Sequence, residues 1–273
     1  MRAKLLSLIF PNKCIFCGAV LSAVAPICIC GSCAERVPYY KGEYLFEGAG
    51  GGAGGGNYCD RIVCALKYTG DVRKAISKFK FNGRREYGFT LAAMLCERII
   101  GAHQYNKFDL VTCVPLSRKR LHERGYNQAE ELAKHVACHL NLPFEAEILL
   151  RDEHTLRQSS LKRAERRFNV ESAFQVNTQK ANELYSRTHN QSRTHTQSCS
   201  HNQSRTHTQS CSHNSTARDN VRFGELQSEL LLRGACILLI DDIATSMSTI
   251  NACAASLKSE GATEVVGAVL AAP

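Results

Sequence analysis

The stretch ILLIDDIATSMSTI, at residues 237–250, decides the fold because it joins an apolar strand to a helix through a polar turn. Residues 235–240 form a near-continuous apolar run, which is typical of a parallel strand that is buried on both faces. A helical pattern follows over residues 248–259, and residues 264–270 form another apolar run of strand length. This order of strand, helix and strand predicts a right-handed crossover unit in an α/β sheet.

The polar part of the same stretch indicates a phosphate site. Two carboxylates, Asp241 and Asp242, end the strand, and the amide groups and positive dipole end of the following helix suit a phosphate. Four hydroxyl groups could add donors, and they belong to Thr245, Ser246, Ser248 and Thr249. The acidic pair would suit ribose hydroxyls, or Mg²⁺ among sugar and pyrophosphate oxygens. The alternative is an ordinary strand–helix turn that is rich in small residues.

A second loop carries the opposite charge. Residues 109–115 read as a strand that is ended by proline, and residues 127–140 have helical spacing. Four basic residues lie between them, namely Arg118, Lys119, Arg120 and Arg124. Guanidinium groups there could hold a pyrophosphate, although a solvated basic face would explain any single arginine. Ligands of open α/β sheets bind at the carboxyl ends of strands, so we expect both loops to lie at one edge.

The amino-terminal cysteines predict a structural zinc site. Cys14 and Cys17 form one C-x-x-C pair, and Cys30 and Cys33 form another pair after twelve intervening residues. Each pair places two thiolates on one tight turn, and two such turns complete a tetrahedron around Zn²⁺. Cys28 lies between the pairs, and the sequence leaves open whether it replaces a ligand or stays free nearby.

Composition sets broader limits on the protein. Of 273 residues 44% are hydrophobic, which is enough for a core, and no apolar run reaches the length that a membrane span needs. The apolar stretch at residues 5–10 is too short for a secretory signal, so we expect a cytoplasmic protein in which clustered cysteines bind metal. The formal charge of +9 favours polyanionic partners, although it could serve solubility alone.

Four regions differ in composition. We predict a zinc ribbon at residues 1–40, a glycine-rich linker at 41–58, and an α/β domain at 59–273. The segment NQSRTHTQSCSH occurs at residues 190–201 and again at 202–213. It has no aliphatic or aromatic side chain to bury, so we expect a disordered insertion at about residues 178–218. Metal binding by its histidines and cysteines is the alternative.

Several motifs together resemble one family. Residues 237–250 are similar to the phosphoribosyl pyrophosphate (PRPP) motif of type I phosphoribosyltransferases, in which Asp-Asp precedes a Thr-Thr-Gly-x-Thr loop. Residues 114–128 match VP-x-x-x-x-R-x-x-x-RG-x-NQ, residues 151–169 match R-x-x-x-T-x-x-Q-x-x-L-x-x-x-x-R-x-x-N, and residues 65–84 are also similar. On these segments the chain is identified as a member of the ComF family, which implies a type I phosphoribosyltransferase-like parallel sheet with flanking helices and an amino-terminal zinc ribbon.

The resemblance implies a site and a role. Asp241 and Asp242 would be the catalytic carboxylates, with Mg²⁺ and a PRPP-like ligand. The implied ligand-binding residues are Thr245, Ser246, Ser248, Thr249, Arg120, Arg124, Asn127, Gln128 and Gln158. The family role is natural competence, in which the protein would bind a phosphoribosyl ligand or single-stranded DNA and meet a competence helicase. An active PRPP-dependent transferase of unknown acceptor is one alternative, and a protein that docks partners through its ribbon is another.

One residue departs from the family loop. Met247 stands where the family usually has glycine, which lets the backbone approach the 5′-phosphate and adopts dihedral angles that other residues avoid. We therefore expect weak PRPP binding, and Met247→Gly would strengthen it if steric hindrance is the limit. A side chain that points away from the phosphate would make methionine tolerable.

Overall fold

The computed structural model describes residues 12–21, 27–40, 57–81, 83–102, 108–152, 173–184, 231–244 and 247–273. Six strands lie in these residues: β1 (Arg61–Lys67), β2 (Leu110–Cys113), β3 (Leu149–Arg151), β4 (Phe174–Val176), β5 (Cys236–Ile243) and β6 (Glu264–Ala272). The described α-helices with defined bounds are α1 (Gly31–Ala34), α2 (Gly70–Phe81), α3 (Tyr87–Gly101), α4 (Arg118–Arg124), α5 (Gln128–Leu140) and α6 (Ser248–Ser259).

Four strands form a parallel sheet in the order β1-β6-β5-β2, and β3 pairs with β4 in a separate antiparallel ribbon. Alternate residues of β5 enter different cores: Ile237 and Leu239 pack on the side of α6, while Leu238 and Ile240 pack on the side of α2, α3 and α5. Helices therefore cover both faces of the sheet. The predicted α/β class, with its parallel sheet and flanking helices, is confirmed.

The sequence pattern explains the local elements that support the site. The buried residues of α2 recur at helical spacing, at Val72, Ala75, Ile76 and Phe79, so one stripe of this helix faces the sheet. Asn127 begins α5, because its side-chain oxygen accepts a hydrogen bond from the Ala129 amide at 3.1 Å. These elements place the end of α2 and the beginning of α5 beside the carboxyl edge of the sheet.

The amino-terminal segment packs directly against the α/β domain. Ile15 and Phe16 belong to the same hydrophobic cluster as α2 and α3, and the Cys28 amide donates to the Thr90 hydroxyl at 3.0 Å. After α1 the chain runs beside β1, where the Tyr40 amide donates to the Ala65 carbonyl at 2.9 Å. The segment that the sequence divides off as a ribbon therefore shares its core with the larger domain.

Two sequence boundaries can be compared with the structure. Residues 178–184, which we assigned to the start of the insertion, are helical, and Ala181 is buried. The predicted boundary at about residue 178 is therefore too early. The repeats at residues 190–213 and most of the predicted linker, at 41–56, lie outside the described residues.

Within the part of the chain that the structure describes, no helix is both long and apolar enough to cross a membrane.

Candidate functional site

A cavity of about 420 Å³ opens at the carboxyl ends of the parallel strands. The register places it there, because Cys113 of β2 lies opposite Ile240 of β5 and the Val114 amide donates to the Ile240 carbonyl at 3.0 Å. The chain after β2 therefore begins beside Asp241. Arg120 and Arg124 of α4 line the same cavity as Asp241 and Asp242. The structure thus brings together the two loops that the sequence places at one edge.

The acidic wall of the cavity consists of two carboxylates in different environments. Burial, followed by the negative charge of Asp242, raises the pKa of Asp241 to about 7. The Asp242 amide donates to Asp241 Oδ1 at 2.7 Å. Asp242 accepts hydrogen bonds from Lys80 Nζ at 2.9 Å on each carboxylate oxygen, and the side chains of this pair are only 12% and 15% exposed. One carboxyl group is therefore poised to exchange a proton near neutral pH, while the other is held by a lysine.

Lys80 and Arg151 are cavity residues that our sequence prediction of the site did not include. Lys80 lies near the end of α2, 162 positions before Asp242. Arg151 belongs to β3, and its Cζ lies 5.3 Å from the centre of the Phe174 ring. Both residues lie in segments that carried the family resemblance, which is the one signal that could have pointed to them. Their distance along the chain hides the contacts from any local spacing rule.

The basic wall is held in place by short-range contacts. The Ser117 hydroxyl accepts a hydrogen bond from the Arg120 amide and begins α4, and Gly125, at φ 76°, ends it. Arg124 Nη1 donates to Gln128 Oε1 at 2.8 Å, which fixes the guanidinium at the mouth of the cavity. Arg120 is exposed. This wall therefore presents two cations to the space in front of Asp241 and Asp242.

Asn127 and Gln128 shape the loop around these cations. Asn127 Nδ2 donates to the Val114 carbonyl at 3.0 Å, while its oxygen begins α5, so the amide ties the strand end to the helix. Asn127 also lines the cavity. Gln128 is fully buried, donates to the Tyr126 carbonyl at 3.1 Å, and is not among the lining residues. In this structure, then, Gln128 positions Arg124 and makes no direct contact with the cavity.

The predicted phosphate loop is described in part. Ser248 and Thr249 form the first turn of α6, and Thr249 lines the cavity. Met247 precedes them at φ 57°, in the left-handed region, and its side chain is 4% exposed within the core on the α6 side of the sheet. The backbone at this position therefore adopts the conformation in which glycine is favoured, with the side chain turned into the protein. Thr245, Ser246 and Gln158 lie outside the described residues.

The cysteine cluster, made of Cys14, Cys17, Cys30 and Cys33, can hold a metal ion. Its four sulfur atoms lie within 4.8 Å of one another, and those of Cys17 and Cys30 are 3.6 Å apart. A tetrahedral zinc with sulfur ligands at about 2.3 Å requires sulfur atoms about 3.8 Å apart, so the spacing fits. Burial alone would raise the pKa of Cys14, but backbone hydrogen bonds from Cys17, Cys30 and Phe16 lower it to about 6. The sulfur of Cys28 is not part of this group.

Comparisons with known proteins reveal several distant relatives, although no protein-family model matches the chain. The chain is 29% identical over 164 residues to Competence protein F of Haemophilus influenzae, covering 58% of this chain and 68% of that one. It is 25% identical over 168 residues to DNA utilization protein YhgH of Salmonella typhimurium, covering 60% and 65%. The Escherichia coli K12 protein of the same name is 24% identical over 150 residues, covering 54% and 58%. The chain therefore spans about two thirds or less of the length of these relatives.

Proposed function

The chain belongs to the ComF family, and from this premise we propose that it acts in DNA uptake or utilization by binding a phosphoribosyl ligand in the cavity and single-stranded DNA on the adjoining basic surface. The observation that carries the proposal is the pairing of Asp241 and Asp242 with Arg120 and Arg124 across one cavity at the strand ends. A phosphoribosyl ligand has hydroxyl groups for the carboxylates and phosphates for the arginines. The names of the relatives supply the competence and DNA context.

The two walls would divide the ligand between them. Asp241 and Asp242 would accept hydrogen bonds from ribose hydroxyls or hold Mg²⁺, which would neutralise part of the charge on a pyrophosphate. Arg120 and Arg124 would donate to the phosphate oxygens. Thr249, in the first turn of α6, lies where a helix N-terminus favours a phosphate. The hydroxyl groups of the ligand would therefore face hydrogen-bond acceptors, and its phosphates would face cations and hydrogen-bond donors.

A ligand that binds to Asp242 must compete with Lys80. Both oxygens of Asp242 accept from its ammonium group, so a ribose hydroxyl or Mg²⁺ must share or displace this contact. A displaced ammonium group lies close enough to the cavity to interact with a phosphate, since Lys80 itself lines it. Replacement of the ion pair by two new ion pairs would offset the cost of opening it.

An active transferase is the second candidate. The partly enclosed Asp241 favours it, because the raised pKa lets this carboxyl group exchange a proton near neutral pH. Such an enzyme would depend on positioning and on charge stabilisation by the arginines, with little need for a nucleophile.

Docking through the ribbon, the third candidate, rests on two exposed apolar side chains, Val20 and Ile27. For the cysteine cluster we propose a structural zinc ion, since four thiolates leave no open position for a substrate.

Two titrations test the proposal. Calorimetry with PRPP, with and without Mg²⁺, should detect binding that Asp242→Asn weakens at least tenfold, because the variant loses one negative charge towards Mg²⁺. Fluorescence anisotropy with a labelled single-stranded oligonucleotide should detect binding that Asp242→Asn leaves within about twofold.

The double variant Arg120→Ala with Arg124→Ala should weaken DNA binding and flatten its salt dependence. It should also weaken PRPP binding, because both arginines line the cavity. If Asp242→Asn and the arginine variant lose DNA binding equally and neither changes PRPP binding, the proposed division of the site is wrong.

A further inference from the structure

We propose that single-stranded DNA stacks an unpaired base on Phe81, at the rim of the cavity. This inference rests on the proposed function and specifies the surface that its DNA-binding part would use. That surface, called here the Phe81 platform, consists of Phe81, Arg84, Arg85 and Arg124, and the buried Tyr126 lies beneath Arg85. Its position beside α4 makes it continuous with the basic wall of the cavity.

Phe81 is an exposed aromatic residue with an ordered cation above it. It is the last residue of α2, and 65% of its surface is accessible to solvent. The guanidinium carbon of Arg124 lies 5.0 Å from the centre of its ring, and Gln128 holds the same guanidinium through the 2.8 Å hydrogen bond. The ring thus has a fixed cationic neighbour and open surface for a second planar group.

A second arginine repeats this arrangement. The guanidinium carbon of Arg85 lies 4.5 Å from the centre of the Tyr126 ring, and its Nη2 donates to the Gly125 carbonyl at 3.0 Å. Tyr126 is buried, meets Phe79 edge to face, and donates its hydroxyl proton to the Phe79 carbonyl. Arg85 therefore rests on a rigid base and is itself exposed. Guanidinium planes of this kind stack on bases and donate to phosphates at the same time.

The surrounding charge selects a polyanion. Residues 83–86 and 118–126 contain six basic side chains and two acidic ones. One of the acidic side chains, Glu86, pairs with Arg84 at 3.1 Å, and both of these side chains are exposed to solvent that screens them. Isolated exposed apolar residues are common on protein surfaces, but a phenylalanine within a basic surface has the two features that bind single strands. A duplex keeps its bases stacked on each other, so an open ring favours the single strand.

Stacking and phosphate contacts respond differently to salt, which separates Phe81 from the arginines. Phe81→Ala should weaken binding of a labelled thymidine oligomer by about 5- to 100-fold, the range for losing one base–aromatic stack, and leave the salt slope unchanged. Arg85→Ala should instead reduce the slope of log K against log salt by about 0.7, the value for one phosphate contact with a single strand. Phe81→Tyr should retain binding because the ring remains.

Two matched controls identify the contact as stacking. An abasic oligomer of equal length keeps the phosphates but has no bases, so Phe81→Ala should leave its binding unchanged. Ile100→Ala alters another exposed apolar side chain, at the end of α3 and away from the cavity lining, and it should bind the thymidine oligomer like the parent protein. Equal losses with both oligomers, or an equal loss in Ile100→Ala, would overturn the proposal.

The chain contains no tryptophan, which permits a direct measurement. Phe81→Trp introduces a single tryptophan, which can be excited apart from the tyrosines, and a base stacked on it should quench its fluorescence when the thymidine oligomer is added. Ile100→Trp should show no such quenching, and the abasic oligomer should quench neither variant. Absence of quenching in Phe81→Trp while the oligomer is bound would overturn the inference and leave the proposed function standing. Failure of the parent protein to bind the thymidine oligomer at low salt would overturn both, and tighter binding of a ribonucleotide oligomer would overturn the assignment to DNA.

Discussion

The cysteine cluster and the cavity are both polar sites, but they are assembled in different ways. The cluster takes four equivalent sulfur atoms from residues 14–33 and closes around one point. The cavity takes charged groups of both signs from β3, β5, α2 and α4, and a hydroxyl group from α6. A closed set of identical ligands loses its function when one pair is removed. In an open site made of unlike charges, the loss of one group weakens binding or stability only in part. The size of that loss depends on the charges that remain beside it.

The largest effect is expected where the closed site is opened. Cys14→Ser with Cys17→Ser should reduce the zinc content from one ion per chain to almost none, as measured by elemental analysis. The melting temperature should fall by several degrees, because the cluster lies in the core shared with α2 and α3. Cys138→Ser, at an exposed cysteine of α5, is the control and should keep the metal. Parent protein that contains no zinc after purification without chelator would contradict the assignment.

A smaller effect is expected where one charge of the cavity is removed. Asp242→Asn leaves the Lys80 ammonium group in a largely buried position, so the free energy of unfolding should fall by about 3 kcal/mol. Lys80→Met should be destabilising for the reciprocal reason, while the double variant should recover most of the loss. Urea denaturation of the four proteins gives the coupling energy of the pair. Strictly additive losses would mean that the ion pair contributes nothing to stability.

Between about pH 5 and about pH 8, deprotonation of Asp241 should lower the free energy of unfolding by about 2.5 kcal/mol. Burial and the charge of Asp242 raise the pKa of Asp241 from 3.8 to about 7, against the opposing effects of Lys80 and Arg151. The folded protein therefore keeps a proton that the unfolded chain releases, so this contribution is fully present below about pH 4 and is lost as the pH rises through about 7. Asp241→Asn should remove this pH dependence. Urea denaturation near about pH 5 and about pH 8, without Mg²⁺, measures it, and an equal dependence in the variant would assign it to another group.

The comparison of the two sites also explains what the sequence could predict. The four cysteines follow a local spacing, and the β5–α6–β6 unit follows a local apolar pattern, so both were accessible from the chain alone. Lys80 contacts Asp242 through the packing of α2 on the sheet, and no local pattern encodes a contact between such distant positions. Gln128 shows a further limit, because a motif residue expected to bind a ligand instead holds the arginine beside it.

Met247 combines both kinds of information, since its departure from the family loop was visible but the direction of its side chain was not. The backbone lies at φ 57°, a conformation that costs an L-residue about 1 kcal/mol or more, and glycine would remove that strain. Glycine would also remove a side chain that is 4% exposed, at a cost of about 2 kcal/mol or more, and would increase the freedom of the unfolded chain.

Met247→Gly should therefore lower the free energy of unfolding by about 1 kcal/mol, the smallest of these effects, because the lost burial exceeds the relieved strain. PRPP affinity should stay within about twofold, since the methionine side chain is absent from the cavity lining. This replaces the gain in affinity that steric hindrance alone would predict. Met247→Ala is the matched control, because alanine removes the buried side chain but keeps the strain of an L-residue at φ 57°. Tighter PRPP binding by Met247→Gly without a loss of stability would show that the methionine side chain does limit the site.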